Sequence, residues 1–268
     1  MIDVFEKEGV ICVEGTIEHA GQKGRPVYTF LTDGMLIDTG PKHLEADLIP
    51  FYEEHSIDLV TLTHSHEDHT GTASHFQEKG DVPIYIHPLG ISTCRASCPY
   101  PKYRQMAWGV RNPFDALPIG DTIQSRSKEW KVIHTPGHAA DHISLLDEET
   151  GRLFSGDLFV SPKTKVIMDS ESIPVTMKSI RKLLSYDFGS MFCCHAGYIP
   201  DGRAMLKQKL DYLENVSGEV KQLDKEGLSV DEIDQKLFPK KYPITAISEG
   251  QWDSVHIVSS ILSDEDNI

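Results

Sequence analysis

The sequence has 268 residues, of which 39% are hydrophobic, so it is long enough to bury the core of one large domain. Its 41 acidic side chains outnumber its 26 basic ones, which gives a formal net charge of −15 with histidine neutral. Such a surface repels phosphate backbones and anionic membranes, so we expect neither a nucleic-acid partner nor a membrane partner. The acidic start, the lack of a long apolar run and the odd number of cysteines (five) predict a cytoplasmic protein without a signal peptide.

Strands and helices alternate along most of the chain. The β-branched and aromatic stretches 9–15, 26–32 and 34–40 predict strands, apolar spacing predicts a helix over 43–55, and 57–63 reads as a buried strand. The alternation continues with a helix at 71–80, strands at 82–88, 130–137, 142–147 and 151–160, a helix at 173–187, a strand at 190–197 and a helix at 201–216. This order predicts an α/β layered fold.

Two regions depart from the alternation. Residues 88–118 are irregular and rich in Pro, Gly, Cys and aromatic residues, which indicates a long functional loop or a short helical insertion. After residue 216 the pattern predicts helices over 219–238 that break at Gly227, with Ser229 and Glu232 as a capping box, and a last helix over 248–262. Without a linker-like stretch, we expect one main domain, 1–215, and a helical extension, 216–268, packed on it.

The stretch THSHEDHTG, residues 63–71, directly follows a predicted buried strand. In extended backbone, residues two apart point the same way, so His64 and His66 can approach one cation from one side. Asp68 and His69 lie where the chain turns into a helix and can face a second position. A polar loop that is merely rich in histidine is the alternative, but this density of imidazole and carboxylate after an apolar strand favours a metal such as Zn²⁺.

Three later segments strengthen the metal hypothesis. Each places a histidine or aspartate at the end of an apolar strand beside glycine: His138 in VIHTPGH, Asp157 in LFSGD and His195 in MFCCHAG. In layered α/β folds, sites assemble at the carboxyl ends of strands, and glycine permits close approach of the backbone.

Taken together, HxHxDH after a strand, TPGH, SGD, a strand-terminal HAG and the IDTG of residues 37–40 resemble the metallo-β-lactamase superfamily. The resemblance covers roughly residues 10–215 and is greater to the glyoxalase-II-like metallo-hydrolase branch than to the antibiotic-degrading enzymes. It implies an αββα sandwich, and the C-terminal helices resemble the small helical extension of some hydrolases in this superfamily. Residues 1–215 would then be the catalytic domain.

The resemblance also implies a dinuclear metal site with a full set of ligands. The ligands of the first ion would be His64, His66 and His138, those of the second ion Asp68, His69 and His195, and the bridging ligand Asp157. Asp38 would support the ligand loop from behind it. Zinc is the expected metal, with iron or manganese as alternatives, although relatives with all seven ligands can hold a single ion. Glu67 occupies the variable position and is expected to face away from the cluster.

The reaction that the resemblance implies is hydrolysis of a small ester, thioester, lactone or phosphoester. A metal-bridged hydroxide, oriented by Asp68, would attack the substrate carbonyl, and Asp157 would hold the metal pair together. Asp68 or a metal-bound water would then protonate the leaving group. Asp68 and Asp157 are therefore the candidate catalytic residues. No nucleophile elbow or Walker-type loop competes as the catalytic centre.

The substrate side of the site is expected within residues 82–114, which contain no Asp or Glu. One hypothesis is a basic, aromatic wall that receives an anionic small molecule, with Arg104, Arg111 and Lys163 as contacts. The alternative is a loop that is salt-bridged to acidic neighbours. The sequence leaves a homodimer open.

Other members of the same fold provide rival functions. Persulfide dioxygenase relatives share HxHxDH and use a single iron, so the motif does not exclude an oxidoreductase, whereas His66 argues against flavodiiron-type relatives, which carry Glu there. A phosphodiesterase or nuclease is disfavoured by the acidic charge. Superfamily lactonases keep a Tyr shortly after the bridging Asp, whereas this sequence has Phe159 and no Tyr there. This difference weakens a homoserine-lactone assignment. The full ligand set argues against a non-catalytic scaffold.

The first prediction concerns His64. We expect His64→Ala to lose both bound metal and hydrolytic activity, because the variant removes one of the three assigned ligands of the first ion. Elemental analysis and an activity assay of the same preparation measure both effects. His75→Ala is the matched control, since His75 is given no role, and full activity in His64→Ala would refute the mechanism.

Overall fold

The computed structural model describes residues 1–19, 22–80, 82–97 and 99–263. The chain divides into two compact units. The first unit comprises Met1–His134, Ala140–Val160 and Asp187–Gly202, and the second comprises Thr135–Ala139, Ser161–Tyr186 and Arg203–Ile268. Among the described helices, none combines the length and the apolar character needed to cross a bilayer.

Most strands lie in the first 200 residues, and the longest helices lie after residue 170. The strands are β1 Ile2–Lys7, β2 Val10–Gly15, β3 Glu18–His19, β4 Gln22–Lys23, β5 Val27–Thr32, β6 Met35–Ile37, β7 Leu59–Thr61, β8 Ile84–Ile86, β9 Leu117–Pro118, β10 Thr122–Gln124, β11 Glu129–His134, β12 Ile143–Asp147, β13 Arg152–Gly156, β14 Ile167–Met168, β15 Met191–Cys193, β16 Gly197–Ile199 and β17 Trp252–Asp253. The α-helices are α1 Glu45–Glu54, α2 Glu67–Thr70, α3 Ser74–Lys79, α4 Ile91–Arg95, α5 Lys102–Trp108, α6 Ile173–Leu184, α7 Gly202–Lys225, α8 Val230–Leu237, α9 Pro243–Ile247 and α10 Val255–Ser263.

The first unit contains two mixed sheets. In the described residues, the first sheet has the order β1-β2-β5-β6-β7-β8-β9 and the second has the order β10-β11-β12-β13-β15-β16. The first sheet is antiparallel from β1 to β6 and parallel from β6 to β9, whereas β13 and β15 are the parallel pair of the second. Parallel neighbours end at the same edge of a sheet, which determines where the site forms.

Alternation along the strands of the first sheet separates two cores. Leu31 and Leu36 point to one face, where they pack with Leu48 and Phe51 of α1. The residues that alternate with them point to the other face: Phe30, Met35 and Ile37. They pack with side chains of the second sheet, which include Trp130, Leu145, Phe154 and Phe192. The first unit is therefore layered as helix, sheet and sheet, as the period-2 pattern requires.

The second unit is mainly helical. The helix α10 packs against α6 and α8, and β14 pairs antiparallel with β17. The helix α6 begins at Ser172, whose hydroxyl accepts a hydrogen bond from the Val175 N–H at 3.4 Å. The capping box expected at Ser229 is confirmed, because its side chain accepts the Glu232 N–H while the Glu232 carboxylate accepts the Ser229 N–H at 2.8 Å.

Several predicted boundaries are wrong, and for α7 the structure gives the reason. Two helices were expected on either side of Ser217-Gly218, but α7 runs unbroken from Gly202 to Lys225. Glycine costs a helix about 1 kcal/mol, and a continuous apolar face outweighs that cost. The buried residues of that face are Leu206, Leu210, Leu213, Val216, Val220 and Leu223. The helix expected from residue 248 begins only at Val255, and β1 was missed.

Two further expectations have different outcomes. The short helical insertion expected within 88–118 is confirmed by α4 and α5. The helix α7 crosses the proposed domain boundary at residue 215, and the two compact units follow other positions. The division into a catalytic domain 1–215 and an extension 216–268 stays a prediction.

The second prediction concerns the capping box. We expect Ser229→Ala to lower the free energy of unfolding by about 1 kcal/mol, because the Glu232 N–H at the start of α8 loses the hydroxyl that accepts it. Urea denaturation measures the change. The exposed Ser259→Ala in α10 is the matched control, because its hydroxyl donates only to a helix carbonyl four residues earlier and caps no helix start. Equal effects of the two variants would contradict the prediction.

Candidate metal centre

The register of two parallel strands brings Asp38 to the histidine motif. Ile37 of β6 lies opposite Thr61 of β7, so the residues that follow each strand leave the same edge of the sheet side by side. Asp38 is the first residue after β6, and Thr63 is the second after β7. The Thr63 N–H donates to Asp38 Oδ1 at 2.7 Å, and the Thr63 hydroxyl donates to Oδ2 at 2.8 Å. The carboxylate therefore holds the start of the motif.

Asp38 is fully buried and has a left-handed backbone, with φ at 59°. Its Oδ2 also accepts from His69 Nδ1 at 2.8 Å and from the Cys194 thiol at 3.1 Å. One carboxylate thus connects the motif, the ring of a candidate ligand and the strand β15 region. When His69 Nδ1 carries the proton that is donated to Asp38, Nε2 of the neutral ring carries none. This is the tautomer that a metal ligand requires.

The first two histidines of the motif converge. His64 Nε2 lies 3.0 Å from His66 Nδ1, as the two-residue spacing predicted. His64 Nδ1 lies 3.1 Å from the Thr63 hydroxyl, which donates its own proton to Asp38 and can accept the imidazole proton. This arrangement turns Nε2 of His64 and Nδ1 of His66 toward one point, where a single ion can accept both nitrogens.

A second pair of parallel strands places Asp157 and His195. Gly156 of β13 lies opposite Cys193 of β15, so Asp157 and the Cys194-His195 dipeptide emerge next to each other. His195 Nδ1 donates to the Pro26 carbonyl at 2.8 Å, which leaves Nε2 for the site. Cys193 and Cys194 are both buried.

The side chains from both strand pairs meet in one buried cluster: Asp68, His69, Asp157 and His195. His195 Nε2 lies 3.1 Å from Asp157 Oδ2 and 3.3 Å from Asp68 Oδ2. His69 Nε2 lies 3.5 Å and 3.6 Å from the same two oxygens. Each group offers one ligand atom, and these atoms all lie within 4.8 Å of one another. The second set of proposed ligands is thus assembled within the first unit.

The two carboxylates and two imidazoles of this cluster balance each other's charge. Burial alone would raise the pKa of Asp157, but the neighbouring His195 and His69 hold it well below its usual range, and Asp68 is lowered in the same way. Burial lowers the pKa of His195, yet Asp157 and Asp68 raise it to about 10. Two buried carboxylates therefore require positive charge beside them, which protons on the imidazoles or divalent cations can supply.

The donor set fits a bound cation. His69 Nε2 is buried and makes no hydrogen bond within the described residues, although its ring is fixed by Asp38. A buried nitrogen of this kind is costly unless it has a partner, and a metal ion is a partner that imidazole nitrogens and carboxylate oxygens share. Because only His and Asp supply the cluster, the set suits a borderline divalent ion such as zinc.

Sequence reasoning missed two residues that hold the ligands from behind. His142 Nε2 accepts the main-chain N–H of Asp157 at 2.9 Å, and Asp141 Oδ2 accepts the N–H of Ser65 at 2.8 Å. Gly156 makes the His142 contact feasible, since a Cβ there would lie 2.4 Å from His142 Nε2 and φ is 50°. The Asp-His pair so soon after TPGH was the available signal.

His138 belongs to the second unit. There its Nδ1 pairs with Glu171 Oε2 at 3.0 Å, while Glu171 Oε1 accepts the N–H of Met168 at 2.9 Å. Glu171 was also missed by sequence reasoning, because it stands 33 residues after His138 and outside any motif. Its carboxylate orients the ring as second carboxylates orient metal-bound histidines. The ligand role of His138 stays a prediction.

Glu67, expected only to face away from the cluster, is buried and pairs with an arginine. Arg104 Nε lies 2.5 Å from Glu67 Oε1, and only 12% of the arginine side chain is exposed. Burial raises the pKa of Glu67, and the Arg104 guanidinium offsets part of that rise. The guanidinium of Arg104 thus forms an ion pair with a residue of the ligand motif.

The other two candidate substrate contacts are Arg111 and Lys163. Arg111 is buried, and its guanidinium donates to the carbonyls of Thr93 at 2.5 Å and Cys94 at 3.0 Å. Lys163 is exposed and belongs to the second unit. Arg95, in the same acid-free segment, pairs with Asp115 at the surface at 2.7 Å. The arginines of segment 82–114 are therefore engaged with the protein, which favours the salt-bridged alternative for this segment.

The third prediction concerns Asp38. In Asp38→Asn an amide NH₂ faces donors that now meet a carboxylate oxygen, so a hydrogen bond becomes a donor–donor contact. We expect the zinc affinity to fall about 10- to 100-fold and the free energy of unfolding of the metal-free protein to fall by about 1–3 kcal/mol. Competition with a chromogenic chelator and urea denaturation measure these changes. Asp121→Asn, at an exposed position, is the control, and unchanged zinc affinity in Asp38→Asn would overturn the prediction.

Comparison with known proteins agrees with this geometry. Residues 27–195 match the family model described as the metallo-beta-lactamase superfamily. The probable metallo-hydrolase YqjP of Bacillus subtilis (strain 168) is 27% identical over 260 residues, covering 81% of this chain and 81% of that protein. The thioesterase pkgB of Emericella nidulans is 28% identical over 176 residues, covering 64% of this chain and 43% of that protein.

Among solved structures, a metallo-beta-lactamase family protein from Thermus thermophilus matches with a TM-score of 0.70 at 19% identity, over 96% of this chain and 94% of that one. At that identity the match concerns the fold alone. The family expected from the motifs is therefore confirmed, and so is its mixed α/β fold. The chain belongs to the metallo-β-lactamase superfamily.

Proposed function

We propose that this protein is a metal-dependent hydrolase of a small ester or thioester, with a thioester as the leading candidate. The observation that carries the proposal is the buried cluster of Asp68, His69, Asp157 and His195, whose imidazole Nε2 atoms all face the carboxylates. The family and its metallo-hydrolase relatives support the general reaction class. The dinuclear site, its zinc ions and the individual roles below are our proposals.

The residues of the chain would hold two ions. His64 and His66, with His138 from the second unit as the family pattern assigns it, would hold one, while Asp68, His69 and His195 would hold the other and Asp157 would bridge them. When bound, such a pair lowers the pKa of a shared water and polarises the substrate carbonyl. A histidine whose second nitrogen is occupied by a carboxylate or carbonyl keeps its ring orientation, and the structure provides such partners for His69 and His195.

The reaction itself requires water addition and loss of a leaving group. The water oxygen bonds to the acyl carbon, the bond from that carbon to the leaving sulfur or oxygen breaks, and a water proton passes through Asp68 to the leaving group. Asp68 suits this task because its Oδ2 lies within the cluster, 3.3 Å from His195 Nε2. Asp157 is held by the main-chain hydrogen bond to His142, so it keeps its place while the proton moves.

The substrate proposal rests on two observations. A relative named as a thioesterase shares 28% identity with this chain, which supports a thioester. The engaged guanidinium groups of Arg104 and Arg111 remove the main support for an anionic substrate, so we propose no charge preference.

The fourth prediction tests the reaction class. We expect zinc-loaded protein to hydrolyse a phenyl thioester faster than the matching phenyl ester, with lower activity on a lactone and on bis(p-nitrophenyl) phosphate. A chelator should abolish the activity, and added Zn²⁺ should restore it. The reason is that the proposed nucleophile is a water activated by the metal ions, and no side chain is assigned that role. Release of thiol or phenol measures the rates.

Elemental analysis of the freshly purified protein provides the control. About two zinc ions per chain are expected if both ligand sets are occupied. A single iron, together with oxygen consumption on a persulfide, would replace the hydrolase by a dioxygenase. Preferred cleavage of the phosphodiester would instead favour a nuclease-type reaction.

A further inference from the structure

One acid of the histidine motif has no place among the proposed ligands. Glu67 stands between His66 and Asp68, is 2% exposed, and pairs with Arg104 of α5 at 2.5 Å. Burying a carboxylate beside another acid, Asp68, is costly, and the arginine compensates for that cost only in a suitable geometry. A carboxylate at a variable position would ordinarily be exposed to solvent. The burial of Glu67 therefore indicates that the Glu67–Arg104 pair has a structural or functional role.

The helix that carries Arg104 cannot hold its own position. The helix α5 has seven residues and none of them is buried, and Met106 on it is 74% exposed. So short a helix is unstable alone, and α5 has none of the fully buried apolar side chains that normally fix a helix. Polar contacts therefore contribute to its position. The Glu67–Arg104 pair joins it to the ligand motif, and His43 Nδ1 lies 3.3 Å from the Ala107 carbonyl.

The last residue of α5 faces a proposed metal ligand. The Trp108 indole lies 6.5 Å from the His195 imidazole, measured between ring centroids, with the planes inclined by 34°. Trp108 is partly exposed, so part of its ring surface remains available beside the cluster. An indole at this distance gives an apolar surface next to the place where a scissile carbonyl would bind.

We propose that Glu67 and Arg104 form a positioning pair that holds α5 against the ligand motif, so that Trp108 forms the wall contacted by the acyl group of the substrate. This inference rests on the proposed hydrolase function for its substrate side. It assigns Arg104 an indirect role, in place of the direct contact with an anionic substrate expected from the sequence. The substrate class that such a wall selects is an acyl group with an aromatic or extended apolar part.

The two roles of Arg104 predict opposite results for Glu67→Gln. If the pair positions α5, removing either charge breaks the pair and displaces the wall. If Arg104 instead binds an anion directly, neutralising Glu67 releases the guanidinium and leaves the KM of an anionic substrate unchanged or lower. A double-mutant cycle separates these cases, because residues that act as one unit have non-additive effects.

The experiment uses the zinc-loaded full-length protein and a pair of thioesters, S-phenyl thiobenzoate and S-phenyl thioacetate. We expect Glu67→Gln, Arg104→Gln and the double variant each to raise the KM for the benzoyl substrate by about tenfold, with kcat changed less than about twofold and the double variant no worse than the single ones. Trp108→Ala should raise the same KM and leave that for the acetyl substrate nearly unchanged. Arg104→Lys should recover part of the loss, because it restores the charge.

A second measurement does not depend on catalysis. Hydrogen exchange of the amides of residues 102–108 should become faster by about tenfold in Glu67→Gln and Arg104→Gln, because local opening becomes easier. The matched control is Arg95→Gln, which breaks the exposed Arg95–Asp115 pair in the same segment and should change neither KM nor exchange in α5.

The two proposals fail in different ways. If the wild-type protein hydrolyses no ester or thioester, the proposed function is wrong, and the exchange measurement still decides whether the pair positions α5. If the wild-type protein is active but Glu67→Gln leaves both KM and exchange unchanged, the positioning role is wrong. Additive losses in the double variant would likewise overturn it.

Discussion

The site depends on the buried carboxylate of Asp38. It lies at the end of β6 in a left-handed conformation and accepts hydrogen bonds from Thr63, His69 and Cys194. Thr63 follows β7, His69 lies in α2 and Cys194 follows β15, so the one carboxylate of Asp38 sets the relative positions of all three segments. A carboxylate can accept several donors at once, and no neutral side chain of the same size could satisfy all of them.

Charge balance explains the composition of the cluster that Asp38 supports. Two carboxylates, Asp68 and Asp157, are buried beside His69 and His195, and neither acid could remain ionised there without positive charge. Imidazoles can provide that charge as protonated rings, or they can release their protons to solvent and bind a cation that provides it. The same four groups therefore form a stable network without metal and a ligand set with it, which links metal affinity to pH.

The region of the proposed substrate wall follows a different logic. Its basic residues are paired within the protein: Arg104 with the motif residue Glu67, Arg95 with Asp115, and Arg111 with main-chain carbonyls. The local excess of positive charge in the sequence is thus taken up by pairs with acidic side chains and main-chain carbonyls of the same protein. A contact surface for substrate is left to aromatic side chains, of which Trp108 lies beside His195.

The sequence by itself determined the family, the alternation of strands and helices and the identity of the proposed ligands, because motif spacing and hydrophobic periodicity are local properties. It also predicted from the two-residue spacing that His64 and His66 converge, and their ring nitrogens do so although residues 63–65 form a bend after β7. Only the tertiary structure showed that His142, Asp141 and Glu171 orient the candidate ligands and their loops, and that Glu67 is buried against Arg104. These contacts join residues far apart in sequence through parallel strand registers and a polar-anchored helix. Such long-range pairings leave no periodic signal in the sequence, so the fold had to bring the partners together before their roles could be identified.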